Sequence, residues 1–97
     1  MTAMTVYVLA DIDVTDPVRY EDYKALAGPS VAQYGGRYTV RGARVVVLEG
    51  EWPTGRFVVI EFPDEQAARR WYDSPEYSAA RAIRQQASTG RLILVTG

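Results

Sequence analysis

The fold is decided by residues 57–62, which read Phe-Val-Val-Ile-Glu-Phe. Their length and their β-branched and aromatic side chains predict a strand. Because side chains alternate along a strand, Phe57 and Val59 point to one face and three further apolar residues, ending at Phe62, point to the other. Both faces of this strand are therefore apolar, and only Glu61 interrupts them.

Three further strands are predicted around this stretch. Residues 6–14 alternate β-branched residues on one face, and residues 92–95 are apolar on both faces. A second strand begins at Tyr38 and continues through residues 45–48, with a bulge or close backbone approach at Gly42. It forms an antiparallel hairpin with the strand at 57–62 through a loop that ends at Gly55.

Two helical regions separate these strands. The first begins with Asp16 as N-cap and Pro17 at the first helical position. We expect Gly28-Pro29 to break or kink it, because the residue before a proline avoids the α region. One more turn should then end at the pair Gly35-Gly36.

The second helical region begins at Asp64, restarts at Ser74-Pro75 and is expected to end at Gly90. The element order is therefore β-α-β-β-α-β. This order predicts a ferredoxin-like α+β fold with a four-stranded antiparallel sheet and both helices on one face. Because the third and fourth strands are apolar on both faces, the sheet face without helices needs a cover. The simplest cover is the sheet of a second copy, which predicts a two-fold homodimer.

Composition limits the chemistry available to this chain. Its 97 residues fit one domain, residues 1–97, and 47% of them are hydrophobic. There is no cysteine and no histidine, which removes thiolate nucleophiles, cysteine-ligated metals and the commonest general base. We therefore expect no cofactor and no metal. The net charge of −1 argues against nucleic acid or an anionic membrane as partner, and the lack of a signal or membrane segment predicts a cytoplasmic protein.

Two charged residues stand where the pattern predicts burial. Arg84 falls inside the apolar stripe of the last helix, and Glu61 lies between apolar strand neighbours. One interpretation is catalytic, with Arg84 holding an anionic group and Glu61 moving a proton. The other is structural, with Glu61 pairing with Arg84, Arg41 or Arg44. Both interpretations stay open at this stage.

Further candidates complete a predicted cleft between helices and sheet. Tyr23, Trp71 and Tyr77 lie on the core side of the helices and could line its wall. Arg41 and Glu49, on and after the second strand, are further candidate ligand contacts, with Glu49 an alternative proton carrier.

A set of short motifs spans nearly the whole chain, from about Val6 to Gly97. Together they resemble the bacterial family known as domain of unknown function 1330. The motifs are Asp16-Pro17-x-x-Tyr20-x-x-Tyr23, Tyr34-Gly35-Gly36-Arg37, Arg41-Gly42, Leu48-Glu49-Gly50, Ile60-Glu61-Phe62-Pro63 and Trp71-Tyr72-x-Ser74-Pro75-Glu76-Tyr77.

The resemblance implies a dimeric α/β barrel, in which two ferredoxin-like sheets face one another. Relatives in that wider group include cofactor-free monooxygenases, lactone isomerases and haem enzymes; this chain has no histidine to ligate haem. The leading hypothesis is a dimer that binds a small anionic or phenolic metabolite and performs cofactor-independent acid–base chemistry. The alternative is a non-catalytic metabolite-binding or structural dimer whose charged residues pair with each other.

Overall fold

The computed structural model describes residues 5–52 and 55–97, apart from the Ala43 side chain. The expected loop before Gly55 therefore includes two residues, Pro53 and Thr54, that lie outside the described part. The elements in chain order are β1 (Val6–Val14), α1 (Pro17–Gln33), β2 (Arg37–Ala43), β3 (Arg56–Phe62), α2 (Glu65–Asp73), α3 (Pro75–Ala87) and β4 (Ser88–Thr96).

The strands form one antiparallel sheet in the order β2-β3-β1-β4. This confirms the ferredoxin-like α+β fold and the hairpin between β2 and β3. Alternate residues of β1 and β3, such as Ile12 and Phe62, are buried against the helices. At the centre of this core, the Trp71 ring lies 5.4 Å from the Phe62 ring and 4.1 Å from the Tyr77 ring, measured between centroids.

Three side chains cap the helices where the sequence predicts. The Asp16 carboxylate accepts from the backbone N–H of Arg19, and the Asp64 carboxylate accepts from that of Ala67. Ser74 both ends α2 and caps α3, because its hydroxyl accepts from the N–H of Tyr77. Each cap satisfies a helix donor that has no partner within the helix.

The expected break at Gly28-Pro29 and the expected helix end at Gly90 are both wrong, while a kink at Gly28-Pro29 stays a prediction. Helix α1 continues through Pro29 to Gln33, so Gly28-Pro29 does not break it. A proline inside a helix removes one hydrogen bond, but the buried residues Ser30 and Val31 that follow it keep the last turn packed on the core. Gly90 does not end the second helical region either: α3 ends at Ala87, and Gly90 lies inside β4, close against the Asp11 carbonyl.

The second strand is shorter than expected. It ends at Ala43 after two register shifts, and Gly42 at the second shift has a φ of +70°, which is the predicted bulge. Residues 44–52, which we call the arm, form neither helix nor strand. The expected continuation at residues 45–48 is therefore wrong for this single chain: the bulge turns the chain out of register with β3, and no described strand pairs with the arm.

The sheet face without helices, which we call the outer face, is apolar as predicted. Leu9, Val59 and Ile93 lie side by side across its three adjacent strands β3, β1 and β4. Ile93 is 58% exposed and Val95 39% exposed. A soluble protein rarely leaves such a surface uncovered unless it binds something.

Candidate functional site

The helices and the sheet enclose a cleft whose volume is ≈ 20 Å³. Its wall contains four tyrosines, three cationic side chains and no carboxylate. The lining residues are Ala10, Ile12, Tyr20, Tyr23, Lys24, Ala27, Tyr38, Arg41, Arg56, Val58, Ile60, Trp71, Tyr77 and Leu92. A cleft lined by cations and hydroxyl groups favours an anionic occupant.

Two arginines carry buried nitrogen atoms that donate to nothing among the described residues. These atoms are the Nε atoms of Arg56 and Arg84. Arg84 is only 6% exposed and lies on the same buried stripe of α3 as Tyr77 and Ala80. Burial of a polar donor without a partner is costly. Arg56 lines the cleft, whereas Arg84 is buried on α3 and is not among the lining residues.

The arginines converge on Tyr20. The Arg56 guanidinium lies 5.8 Å from the centroid of the Tyr20 ring. Burial raises the pKa of the Tyr20 hydroxyl, and the charges of Arg56 and Arg84 offset part of that rise. Both guanidinium groups therefore act electrostatically on the same point inside the cleft.

Tyr23 and Tyr38 also stay neutral at ordinary pH. Burial raises the pKa of Tyr23, and the neighbouring Tyr77 hydroxyl adds to the rise. Burial likewise raises the pKa of Tyr38, although the Arg41 charge opposes it. Neutral tyrosines can donate a hydrogen bond to a bound anion, but they cannot act as phenolate bases.

Trp71 and Tyr77 form the most deeply buried part of the cleft wall. Trp71 is 1% exposed, and its indole N–H donates to the Ser30 hydroxyl at 3.1 Å. The Tyr77 hydroxyl lies 3.1 Å from that of Tyr23, so α1 and α3 are joined across the cleft. The three predicted wall residues Tyr23, Trp71 and Tyr77 are thus brought together.

Arg41 lies at the rim of the cleft. Its side chain is exposed, and its guanidinium stacks 4.3 Å from the centroid of the Tyr38 ring. Its Nη2 atom lies close to Gly28, at 3.4 Å from the position that a Cβ would take there. Arg41 therefore joins the predicted cleft residues.

Glu61 and Glu49 lie elsewhere. Glu61 points to the outer face, where its Oε2 accepts from Nε and Nη2 of Arg37 at 3.1 and 3.0 Å. The expected pairing of Glu61 with Arg84, Arg41 or Arg44 is wrong, because alternation along β3 turns Glu61 away from the helix side. Glu49 is exposed on the arm.

Four polar or charged residues of the cleft were not predicted as site residues: Tyr20, Lys24, Tyr38 and Arg56. Arg56 lies on the same side of its strand as the buried Val58, but both faces of this strand are apolar, so the sequence does not show which face the helices cover. Tyr38 could not be assigned to the cleft either, because the register shift after it hides which face it occupies.

Among residues 5–52 and 55–97, no three acidic side chains come together in a way that could hold a metal ion. Within the same ranges no helix has the length and apolar character needed to cross a membrane.

The sheet order, the split second helix and the cleft define a ferredoxin-like α+β protein with a cationic, tyrosine-lined space between helices and sheet. The chain belongs to the family described as domain of unknown function (DUF1330), whose sequence pattern matches residues 5–97. This confirms the resemblance drawn from the motifs. A comparison with curated proteins finds no match.

Solved structures share the fold at low sequence identity. A protein of unknown function from Rhodopseudomonas palustris, RPA0582, is 21% identical over 97% of this chain and 82% of its own, with a TM-score of 0.72. SnoaB, a cofactor-independent oxygenase from Streptomyces nogalater, is 21% identical over 98% of this chain and 94% of its own, with a TM-score of 0.67. A dimeric ferredoxin-like protein of unknown function from Jannaschia sp. CCS1 is 12% identical over 96% and 97% of the two chains, with a TM-score of 0.66.

Proposed function

We propose that this protein binds a small organic anion, a carboxylate or a phenolate, in the cleft between helices and sheet. The observation that carries the proposal is the buried, unpartnered Nε atom of Arg56 in a wall that contains no carboxylate. The Nε atom of Arg84 is also buried and unpartnered, and the Arg84 charge acts on the lining residue Tyr20. A structural role alone would call for an acidic partner to the buried Arg84. None of the described residues supplies one.

The cleft must open to admit such a ligand. A volume of ≈ 20 Å³ holds about one water molecule. Arg41 is the side chain best suited to move, because it is exposed and stacks on Tyr38 without an ion-pair partner among the described residues. Its displacement uncovers the tyrosine hydroxyls, and its charge then meets the ligand at the rim.

The test compares ionised and neutral aromatic probes of similar size. Benzoate and 4-hydroxybenzoate should raise the unfolding temperature in a concentration-dependent way, because a ligand that binds only the folded state stabilises it. Benzyl alcohol at the same ionic strength should not. Arg56→Met should abolish the shift, whereas Arg70→Met, which removes a charge from an exposed helix position, should keep it. Equal shifts with all three probes, or no shift with any of them, would refute the proposal.

A second candidate function is cofactor-independent chemistry on the same anion. The observation that favours it is that burial raises the pKa of the hydroxyls of Tyr20, Tyr23 and Tyr38 and keeps them neutral, with guanidinium charges near Tyr20 and Tyr38. Such groups stabilise an enolate or phenolate by hydrogen bonds and charge. Because Glu61 and Glu49 lie outside the cleft, the base would have to come from the substrate. SnoaB has the same fold and is a cofactor-independent oxygenase; consumption of dissolved oxygen by this protein with a phenolic substrate tests that chemistry.

We also propose that the protein works as a homodimer. The apolar outer face, with Ile93 58% exposed, supports this. So does a groove of ≈ 390 Å³ on that face, bordered by Leu9, Trp52 and Phe57. The Jannaschia protein with this fold is dimeric. Sedimentation at micromolar concentration should give about twice the chain mass of 10.8 kDa; a species at the chain mass itself would contradict the proposal.

A further inference from the structure

We propose that the ligand of the cleft carries two acidic groups, one at each end of an elongated aromatic body, as in an aromatic dicarboxylate. Arg56 binds the inner acid and Arg41 the outer one. The inference rests on the proposed anion-binding function, and it adds the number of charges on the ligand and the way in which they are spaced.

Two of the cations in the cleft wall have no counter-charge among the described residues. Three cationic side chains line the cleft, those of Lys24, Arg41 and Arg56, and no carboxylate lines it. The Lys24 ammonium is neutralised by the Glu21 carboxylate at 2.9 Å. Neither arginine takes part in an ion pair within the described part of the chain. A ligand with one charge would neutralise one arginine, whereas a ligand with two charges neutralises both.

The two arginines come from adjacent strands and lie on the same face of the sheet. Arg41 on β2 pairs with Val58 on β3, and Arg56 is two residues from Val58 along β3. Because residues two apart along a strand point to the same face, Arg41 and Arg56 are diagonal neighbours, about 7–8 Å apart. Both side chains therefore enter the cleft from the sheet side, at different points of its wall.

The guanidinium groups contact α1 at different levels. The Arg56 guanidinium lies 5.8 Å from the centroid of the Tyr20 ring, while Nη2 of Arg41 lies 3.4 Å from the position that a Cβ would take at Gly28. Tyr20 and Gly28 are eight residues apart on this helix, which is about 12 Å along its axis. The two charges are thus on the order of 10 Å apart, and a single carboxylate is too small to contact both.

The bulge at Gly42 makes room for the inner arginine. Gly42 has a φ of +70°, and a Cβ at this position would overlap the Arg56 guanidinium. Any side chain there would have to displace that guanidinium, and the backbone conformation itself favours glycine. The Nε atom of Arg56 is buried and donates to none of the described residues. The consecutive residues Arg41 and Gly42 therefore supply the outer cation and the space for the inner one.

Aromatic rings form the wall between the two cations. Tyr23 lies between Tyr20 and Gly28 on α1, and Trp71 faces the same space from α2. Rings of this kind pack against a flat aromatic body through offset or edge-to-face contacts. The cleft thus presents a cation, an aromatic wall and a second cation in that order, and an aromatic dicarboxylate has the complementary order of groups.

The test uses two probes of similar length and different charge. Terephthalate has two carboxylates at opposite ends of a ring, and monomethyl terephthalate has one carboxylate and one neutral ester. In isothermal titration calorimetry at one ionic strength, wild type should bind terephthalate about tenfold or more tightly than the monoester, which is the value of one further charge-assisted contact. Phthalate, whose two carboxylates are adjacent, should bind no more tightly than the monoester.

Three variants assign the two acids to the two arginines. Arg41→Met should lower the affinity for terephthalate to that of the monoester and leave the affinity for the monoester nearly unchanged. Arg56→Met should abolish binding of both probes. Arg70→Met, at an exposed helix position, is the control and should keep both affinities. The comparison of the probes on wild type does not depend on the folding of any variant.

The outcomes separate this inference from the proposed function. If benzoate, the monoester and terephthalate bind wild type equally well, anion binding stands and the second acid is wrong. If phthalate binds as tightly as terephthalate, or if Arg41→Met keeps the preference for terephthalate, the assignment of two separated acids to these arginines is overturned. If none of the probes binds, the proposed function itself is wrong, and the inference falls with it.

Discussion

The hydroxyl oxygens of Tyr23 on α1 and Tyr77 on α3 lie 3.1 Å apart, with their rings meeting edge to face. This contact joins the two long helices directly over the cleft. Tyr77 is fully buried and stacks on Trp71, so the hydrogen bond attaches α1 to the buried aromatic cluster of the core. It follows that the packing of α1 on α3 depends on this pair of groups.

Removal of either hydroxyl should cost the same amount. Tyr23→Phe and Tyr77→Phe should each lower the free energy of unfolding by about 1 kcal/mol, the net value of one hydrogen bond. The double variant should cost little more than either single variant, because both singles remove the same bond. Urea unfolding followed by circular dichroism measures all three, and additive losses would contradict a shared bond.

Buried tyrosines should make the fold sensitive to alkali. The pKa values of Tyr20, Tyr23 and Tyr38 are raised by burial. In the unfolded chain these hydroxyls lose their protons near pH 10. A pKa that is higher in the folded state gives stability that is complete below the unfolded value and falls as pH rises above it. The free energy of unfolding should therefore decline above about pH 10. Tyr38→Phe should lessen the decline, and an unchanged pH dependence would contradict burial of this hydroxyl.

Glu76 should give the opposite pH dependence. Its carboxylate accepts from its own backbone N–H at the start of α3, from the Tyr34 hydroxyl at 3.0 Å and from the Gln33 amide at 3.2 Å; these bonds lower its pKa. A lowered pKa gives stability that is present above the unfolded value and lost as pH falls through the folded one.

Glu76→Gln should therefore destabilise the protein at pH 7 and have a shrinking effect below about pH 4.3. Thermal unfolding of wild type and variant from pH 3 to 7 measures this. Asp22→Asn, on an exposed part of α1, is the matched control. A penalty for Glu76→Gln that stays the same across the range would show that the negative charge plays no part.

The fold could be predicted because most of its signals are local. Caps such as Asp16 and Ser74, and alternation in residues 57–62, act within a few residues and need no tertiary information. The continuation of α1 through Pro29 could not be predicted, since packing of the buried Val31 outweighs a local preference. The site was predicted only in part for the same reason. Arg84 is on the buried stripe where the helical wheel places it, but which face Glu61 occupies depends on which side of the sheet the helices cover.

Gly90 should be intolerant of any side chain. A Cβ at this position would lie 2.6 Å from the backbone carbonyl oxygen of Asp11, and that oxygen cannot rotate away. Gly90→Ala should push β4 from β1 and destabilise the protein by roughly 1–3 kcal/mol, as overpacking does elsewhere. Gly97→Ala, where nothing lies within 4 Å, is the matched control and should be neutral. Chemical unfolding compares the two; equal stability would mean that the strands separate at little cost.

Arg84 gives the sharpest separation between a ligand-binding and a structural role. It is 6% exposed, and its Nε donates to nothing among the described residues, so the empty protein bears the cost of burying a charge without a partner. Arg84→Met keeps most of the volume and removes the charge. If the guanidinium is part of an anion-binding site, Arg84→Met should raise the free energy of unfolding of the ligand-free protein by about 1 kcal/mol or more. Replacement of buried charges by apolar residues has this effect elsewhere. The same variant should lose the stabilisation that benzoate gives to wild type.

If instead Arg84 is held by a structural partner, Arg84→Met should destabilise the protein by about 3–5 kcal/mol, the cost of breaking a buried pair. Arg70→Met, on an exposed position, should change stability by less than about 0.5 kcal/mol and calibrates the measurement. A gain in stability together with a loss of anion response is the combination that only a preformed anion site explains.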